Sequence, residues 1–433
     1  MRRGLRLSWP NTTRLDGRKP AAVWASFSAA PAAEHSIRNV IKALAKSAWR
    51  PAIPQTYQPR STDALFERVD VGAFQLSNRI VMAPLTRNRA GPGLVPSVFA
   101  ADYYSQRASA GLIIAEATQI SAQAQGYSGT PGCYTDAQVA GWQKVTEAVH
   151  AEGGTIVVQL WHTGRVSHTG LQPGGQAPVG PSAIKAKTKT FIAGQGFVDC
   201  STPRALELEE IPGIIADFRH ASMRALDAGF DGVELHGAHG YLLDAFLRNG
   251  TNHRTDAYGG SIENRARLLL EVTEACAKAI GADRLGVRLS PVSTAGDSHD
   301  SDPQPLFDHV VDRLSPLRLA YVHVVEGETG GPRDSLPFDY AALRDRFEGI
   351  WMVNNGYDRQ MAINAVASGQ IDLVSFGRLF MANPDLVRRL RDNAALNPLM
   401  EPATFYGGGA HGYTDYPMLD QAQKSATART TVT

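Results

Sequence analysis

The sequence has few of the residues that mark a protein built around metals or disulfides. Only Cys133, Cys200 and Cys276 occur in 433 residues, and none forms a C-x-x-C pair. Zinc ribbons, iron–sulfur clusters and a disulfide framework are therefore not signalled. A reducing cytoplasm is the expected compartment. No apolar run approaches the roughly 20 residues needed to span a bilayer, so no membrane partner is expected. An excess of charge of one sign is also lacking: 43 basic residues face 42 acidic ones. That balance gives no general case for binding nucleic acid.

The balance conceals an asymmetry. Residues 1–60 carry eleven Lys or Arg against Asp16 and Glu34 alone, and six prolines from Pro10 to Pro59 interrupt them. Such a basic, Pro-rich extension suits disorder better than a packed core. Three readings of it stay open: an organellar transit peptide, a secretory signal with residues 21–30 as its apolar region, and an extension without a targeting role. Residues 61–420 read as one domain, and 421–433 as a C-terminal tail.

Within that domain, short apolar runs alternate with helical patterns. Strands are predicted at 79–84, 111–116, 155–160, 231–236, 284–290, 319–324, 349–354 and 373–377. Amphipathic stretches such as "VAGWQKVTEAVHAEG" and "SIENRARLLLEVTEACAKAIG" separate them and close on Gly, as helix C-caps do. Eight such alternations with nearly continuous apolar strands imply an α/β fold, a parallel (β/α)₈ TIM barrel. A doubly wound open sheet is the alternative. The Gly- and Pro-rich segment 165–204 follows the third strand and is expected to form loops and a short hairpin capping the barrel mouth. Ser261 is expected to cap a helix, with Asp256, Glu263 and Arg265 pinning the loop before it.

Polar residues gather at the C-terminal ends of these strands, the face where barrel enzymes build active sites. They are Thr86 and Arg87 after the first, Glu116 and Thr118 at the second, and Gln159, Trp161 and His162 at the third. His236, His239 and Tyr241 leave the fourth, Arg288 ends the fifth, Asn354 and Asn355 the seventh, and Gly377 with Arg378 the eighth. Buried polar groups need partners or a ligand, so the two imidazoles and the phenol are expected to face one. Around strands seven and eight, the backbone N–H groups of Asn355, Gly356 and Gly377 with the Arg378 guanidinium match the usual barrel phosphate site. The ligand is therefore expected to carry a phosphate. The remaining neutral donors, with one Arg at strand five, suit a conjugated ring that gathers charge on reduction.

The motifs "RIVMAPLTRNRA", "EATQISAQAQGY", "QLWHTGR", "HGAHGYLLDAFL", "NHRTDAYGGSIENRARLLLEV", "FGRLFMANPDL" and "FYGGGAHGYTDYP" resemble the flavin-dependent ene-reductases of the Old Yellow Enzyme family, over about residues 62–420. Thr86, where another branch has Cys, is similar to the branch with nitro-ester, maleimide and oxophytodienoate reductases. The resemblance implies FMN as cofactor, held by Pro84 and Ala117 backbone, the Thr86 hydroxyl, Gln159 and Arg288, with the phosphate at Asn355, Gly356, Gly377 and Arg378. Family members often have Gly at the position of Asn355. The resemblance further implies that His236 and His239 grip a substrate oxygen, that Tyr241 supplies a proton, and that Tyr127, Trp161 and Tyr406 line the pocket. It implies NADPH or NADH as electron donor, a small electrophilic substrate such as an enone, a maleimide or a nitro compound, and a monomer or homodimer. Two other readings remain: a non-enzymatic flavin-binding barrel, and a metal-dependent barrel hydrolase using His236 and His239 with Glu234 or Asp244. The hydrolase has no H-E-x-x-H signature behind it. A glycosidase would need paired carboxylates, and Glu116 is the one clear strand-end acid.

Overall fold

Eight parallel strands close into a barrel in the computed structural model, which describes residues 57–399 and 401–421. Most of the basic extension expected to be disordered, residues 1–56, and the tail beyond Gln421 lie outside the described residues. Tyr57 and Arg60 already pack on the barrel: the Tyr57 hydroxyl donates to Asp345 at 2.9 Å and Arg60 pairs with Asp372 at 2.6 Å.

In chain order the barrel strands are Ile80–Met82, Leu112–Gln119, Ile156–Trp161, Gly232–Gly237, Leu285–Leu289, Tyr321–Val325, Trp351–Asn354 and Leu373–Phe376. Each pairs with the next, and the eighth returns to the first with Val374 opposite Ile80. The second strand is buried along its whole length, which explains its unbroken apolar run. It also runs past its expected end at Glu116, because its register against the third strand shifts between Ala115 and Thr118. Such an irregularity re-aims the side chains on either side of it.

The helices pack outside. In Ile262–Ile280 the buried Leu269, Val272, Cys276 and Ile280 recur at helical spacing and face the strands. Ser261 caps it as expected, its hydroxyl accepting from the Asn264 N–H at 3.3 Å. Gly281 ends it at φ +93, a conformation that a side chain would strain. Truncating Leu269 to Ala would leave a cavity and cost about 2–5 kcal/mol.

Three two-stranded sheets accompany the barrel, one of them the short parallel pair Val179–Gly180 and Arg204–Ala205. The antiparallel pair Val69–Val71 and Phe74–Leu76 closes the bottom, where Val71, Phe74 and Leu76 join Val81, Ile114, Val157 and Met352 in one buried cluster. Segment 165–204 does form a hairpin, Lys189–Ile192 against Gly196–Asp199. It is tied to the top by bonds from Ser128 N–H to the Phe191 carbonyl at 2.9 Å and from Arg165 to the Gly296 carbonyl at 2.9 Å.

Candidate active site

A cavity of about 1020 Å³ opens at the C-terminal ends of the strands. Pro84, Thr86, Ala117, Gln159, Trp161, His236, His239, Tyr241, Arg288, Asn355, Gly356, Gly377, Arg378 and Tyr406 all line it. Of the site residues that the family resemblance implies, only Tyr127 stands outside. It lines an adjoining mouth of about 490 Å³ together with Tyr241, Tyr406, Phe191, Phe197 and Lys189, the last three from the cap hairpin. Tyr406 spans both spaces and is 53% exposed, so it belongs to the entrance rather than the floor.

The fourth strand and the turn after it hold the ring cluster. His236 is buried at the strand end, with the His239 ring 5.3 Å away and the Tyr241 ring 4.9 Å away, both edge-on. Trp161 stacks against His236 at 6.1 Å and against Tyr127 at 5.8 Å. His239 sits at φ +61, an uncommon conformation for a side-chain-bearing residue, so the turn must be held from outside. The holding groups are visible: the Ser290 hydroxyl accepts the His239 N–H at 2.9 Å, and Asp244 accepts the Gly240 N–H at 2.8 Å. Asp244 in turn pairs with Arg248 at 2.8 Å, and Arg248 donates to the carbonyls of Ser290 and Pro291. Both partners of this pair are buried.

Burial, reinforced by neighbouring positive charge, pushes His236 and His239 well below the usual histidine range, so both are neutral at pH 7. Neither His236 Nδ1 nor His239 Nε2 has a protein partner, and neither does Trp161 Nε1. Burial likewise pushes Tyr241 up to about 12, although a hydrogen bond with Tyr127 works the other way. Tyr241 therefore keeps its proton.

Below the rings, a polar layer crosses the barrel. Gln159 Nε2 donates to Glu234 Oε1 at 2.7 Å, and His323 bridges Glu234 Oε2 at 2.9 Å and the Ser375 hydroxyl at 2.8 Å. One N–H of the Gln159 amide is thereby engaged by Glu234, which orients the amide at the cavity wall. Arg288 is buried and donates Nη2 to Asn354 Oδ1 at 2.9 Å, while its Nε has no partner. No ion pair joins Arg288 to Glu234 among the described residues, so the guanidinium faces the cavity as a cation without a counter-ion in contact.

Some strand-end residues turn away from the cavity. Arg87 donates to the carbonyls of Phe405 at 2.9 Å and Gly412 at 2.7 Å, securing the segment that carries Tyr406. The Thr118 hydroxyl donates to the Glu116 carbonyl at 2.8 Å, and His162 Nδ1 accepts the Gly164 N–H at 3.0 Å. The Glu116 carboxylate is buried behind the site, accepting from the Arg87 N–H at 3.2 Å and the Tyr104 hydroxyl at 3.4 Å. These four strand-end groups therefore secure the barrel top and do not face the cavity. The register shift beside Thr118 and the turn after His162 redirect side chains in ways that position along a strand does not reveal. His323, which the sequence reading missed, sits mid-strand with no local signal except polarity in an apolar run.

A family model described as the NADH:flavin oxidoreductase / NADH oxidase family matches residues 64–397. The 12-oxophytodienoate reductase 2 of Arabidopsis thaliana is 44% identical over 81% of this chain and 94% of that protein. A solved structure of morphinone reductase in complex with tetrahydroNAD is 49% identical, covers 83% of this chain and 98% of its own, and superposes with a TM-score of 0.78. The old yellow enzyme homologue from Zymomonas mobilis is 43% identical over 82% of this chain and all of its own, with a TM-score of 0.79.

Proposed function

We propose, from the premise that this chain belongs to the Old Yellow Enzyme family of NADH:flavin oxidoreductases, that its cavity binds FMN and reduces activated C=C bonds of enones and maleimides, and also nitro compounds. NADH or NADPH is the electron donor. The residues fit such a group. The cavity is lined by neutral donors together with Arg288 and Arg378, and four buried nitrogens around it, on Trp161, His236, His239 and Arg288, lack protein partners. A buried donor without a partner costs about 1–3 kcal/mol, so a ligand that meets these groups gains from them.

The Pro84 and Ala117 backbone, the Thr86 hydroxyl and the Gln159 amide would hold the flavin ring. Arg288 would balance the negative charge that reduction brings to it, which favours the reduced form. Asn355, Gly356, Gly377 and Arg378 would hold the phosphate. When bound, FMN supplies the hydride. His236 and His239, both neutral, donate N–H groups to a substrate carbonyl or nitro oxygen and so draw electrons from the double bond. Tyr241, protonated at neutral pH, delivers a proton to the α carbon. Trp161, Tyr127 and Tyr406 shape the approach to these groups.

The observation that carries this reading is the clustering of His236, His239 and Tyr241 over one cavity with unpartnered ring nitrogens. The acids that a metal-hydrolase reading would recruit are engaged elsewhere, Glu234 by Gln159 and His323 and Asp244 by Arg248. An absorption spectrum of the purified protein, before and after anaerobic NADH or NADPH, tests the proposal. Flavin bands that bleach support it. Protein that has no flavin bands and takes up no added FMN would refute it.

A further inference from the structure

At the phosphate end of the cavity the side chain of Asn355 turns away from the open space and into the loop 326–331, which follows the sixth strand. Its Nδ2 donates to the carbonyls of Glu326 at 2.6 Å, Glu328 at 2.8 Å and Gly331 at 3.4 Å. Its Oδ1 accepts the Gly330 N–H at 3.3 Å. One amide thus satisfies backbone groups on both sides of the loop. Thr329, Gly330 and Gly331 line the cavity, and Gly330 lies beside Arg378: a Cβ built there would come within 3.3 Å of Arg378 Nη2. The Arg378 side chain is exposed and makes no hydrogen bond or ion pair among the described residues, so the loop is its neighbouring wall.

The backbone of Asn355 has φ +102, a conformation that favours Gly over any side chain. A residue kept there despite that cost needs a use for its side chain, and the four bonds to the loop provide one. A second tie reaches the loop from the other side, where Glu328 accepts from Thr294 N–H and the Ser293 and Thr294 hydroxyls.

Building on the FMN reading above, we infer that Asn355 is a positioning residue whose amide latches the loop 326–331 against Arg378 and so slows release of the phosphate end of the cofactor. The latch acts on the phosphate end alone. A ligand that has the flavin ring and lacks the phosphate does not feel it.

The backbone geometry supplies a clean variant. Asn355→Gly keeps the left-handed conformation without strain and removes only the amide. Asn355→Asp keeps the size and sets a carboxylate oxygen against three carbonyls. The full-length protein, stripped of flavin, is titrated with FMN and with riboflavin, and FMN dissociation is timed. Both variants should lose FMN about tenfold faster, the effect of one or two hydrogen bonds. Riboflavin affinity should change less than twofold, so the preference for FMN over riboflavin falls. Amide exchange at residues 327–331 should accelerate in the flavin-free variants. Equal loss of FMN and riboflavin, or no loss of either, would overturn the inference while leaving the FMN reading in place. Wild-type protein that binds neither flavin would overturn both.

Discussion

The phenol oxygens of Tyr127 and Tyr241 stand 3.1 Å apart, joining a residue of the mouth to one of the cavity. With Tyr127 as donor, the proton on Tyr241 is free to point at a bound substrate. The same bond stabilises the phenolate left behind once that proton has gone. Tyr127→Phe should therefore slow reoxidation of the flavin by a simple enone about 3- to 10-fold, the effect of a hydrogen bond worth about 0.5–1.5 kcal/mol. Flavin reduction by the nicotinamide should be unaffected. Stopped-flow measurement of the two half-reactions separates these effects, and an unchanged enone rate would remove Tyr127 from proton delivery.

His239 holds its ring in place from a left-handed backbone. Asn tolerates that conformation and retains an N–H donor, whereas Ala keeps the strain and loses the donor. His239→Ala should weaken binding of a phenolic ligand about tenfold, and His239→Asn distinctly less. Because burial keeps both histidines neutral, binding of neutral phenol to the wild type should be flat between pH 6 and 8. Absorbance titration checks both points; a loss of affinity on passing below pH 7 would show that a histidine is being protonated.

Glu116 provides a pH signature of stability. Burial pushes its carboxyl up to about 7 from an ordinary value of 4.5. The folded state thus binds the proton more tightly than the unfolded chain does. The stabilisation this gives is complete below about pH 4.5 and is lost as pH rises through 7. Glu116→Gln cannot ionise and can still accept the Arg87 N–H. Urea unfolding should find the variant more stable than wild type at pH 8, by about 1–3 kcal/mol, and close to it at pH 5. A constant difference across that range would show that the wild-type carboxyl does not titrate there.

The barrel was legible because its strands are buried on both faces and read as short unbroken apolar runs, as at 111–116 and 155–160. The candidate site was legible because barrel topology places strand ends together, so His236, Arg288 and Arg378 meet across a cavity without being near in sequence. The bottom hairpin escaped notice, since strands of three residues carry too little alternation to detect. The Glu234–His323 contact joins residues 89 positions apart, and no local pattern announces such a pairing. The side-chain directions of Arg87, Thr118 and His162 were not legible for a related reason: proximity to a strand end fixes the backbone, while the side chain's direction depends on a bulge or turn.

The most direct test of the account is proton delivery by Tyr241. Tyr241→Phe keeps the ring that packs on His236 and Trp161 and removes the acid. The account predicts that the FMN-loaded variant is reduced by the nicotinamide at the wild-type rate and still binds phenol. Its reoxidation by 2-cyclohexenone in rapid mixing should be slower by about 10²-fold or more, the scale of a positioned general acid. Reoxidation at the wild-type rate would contradict the account, because the proton would then reach the substrate without Tyr241.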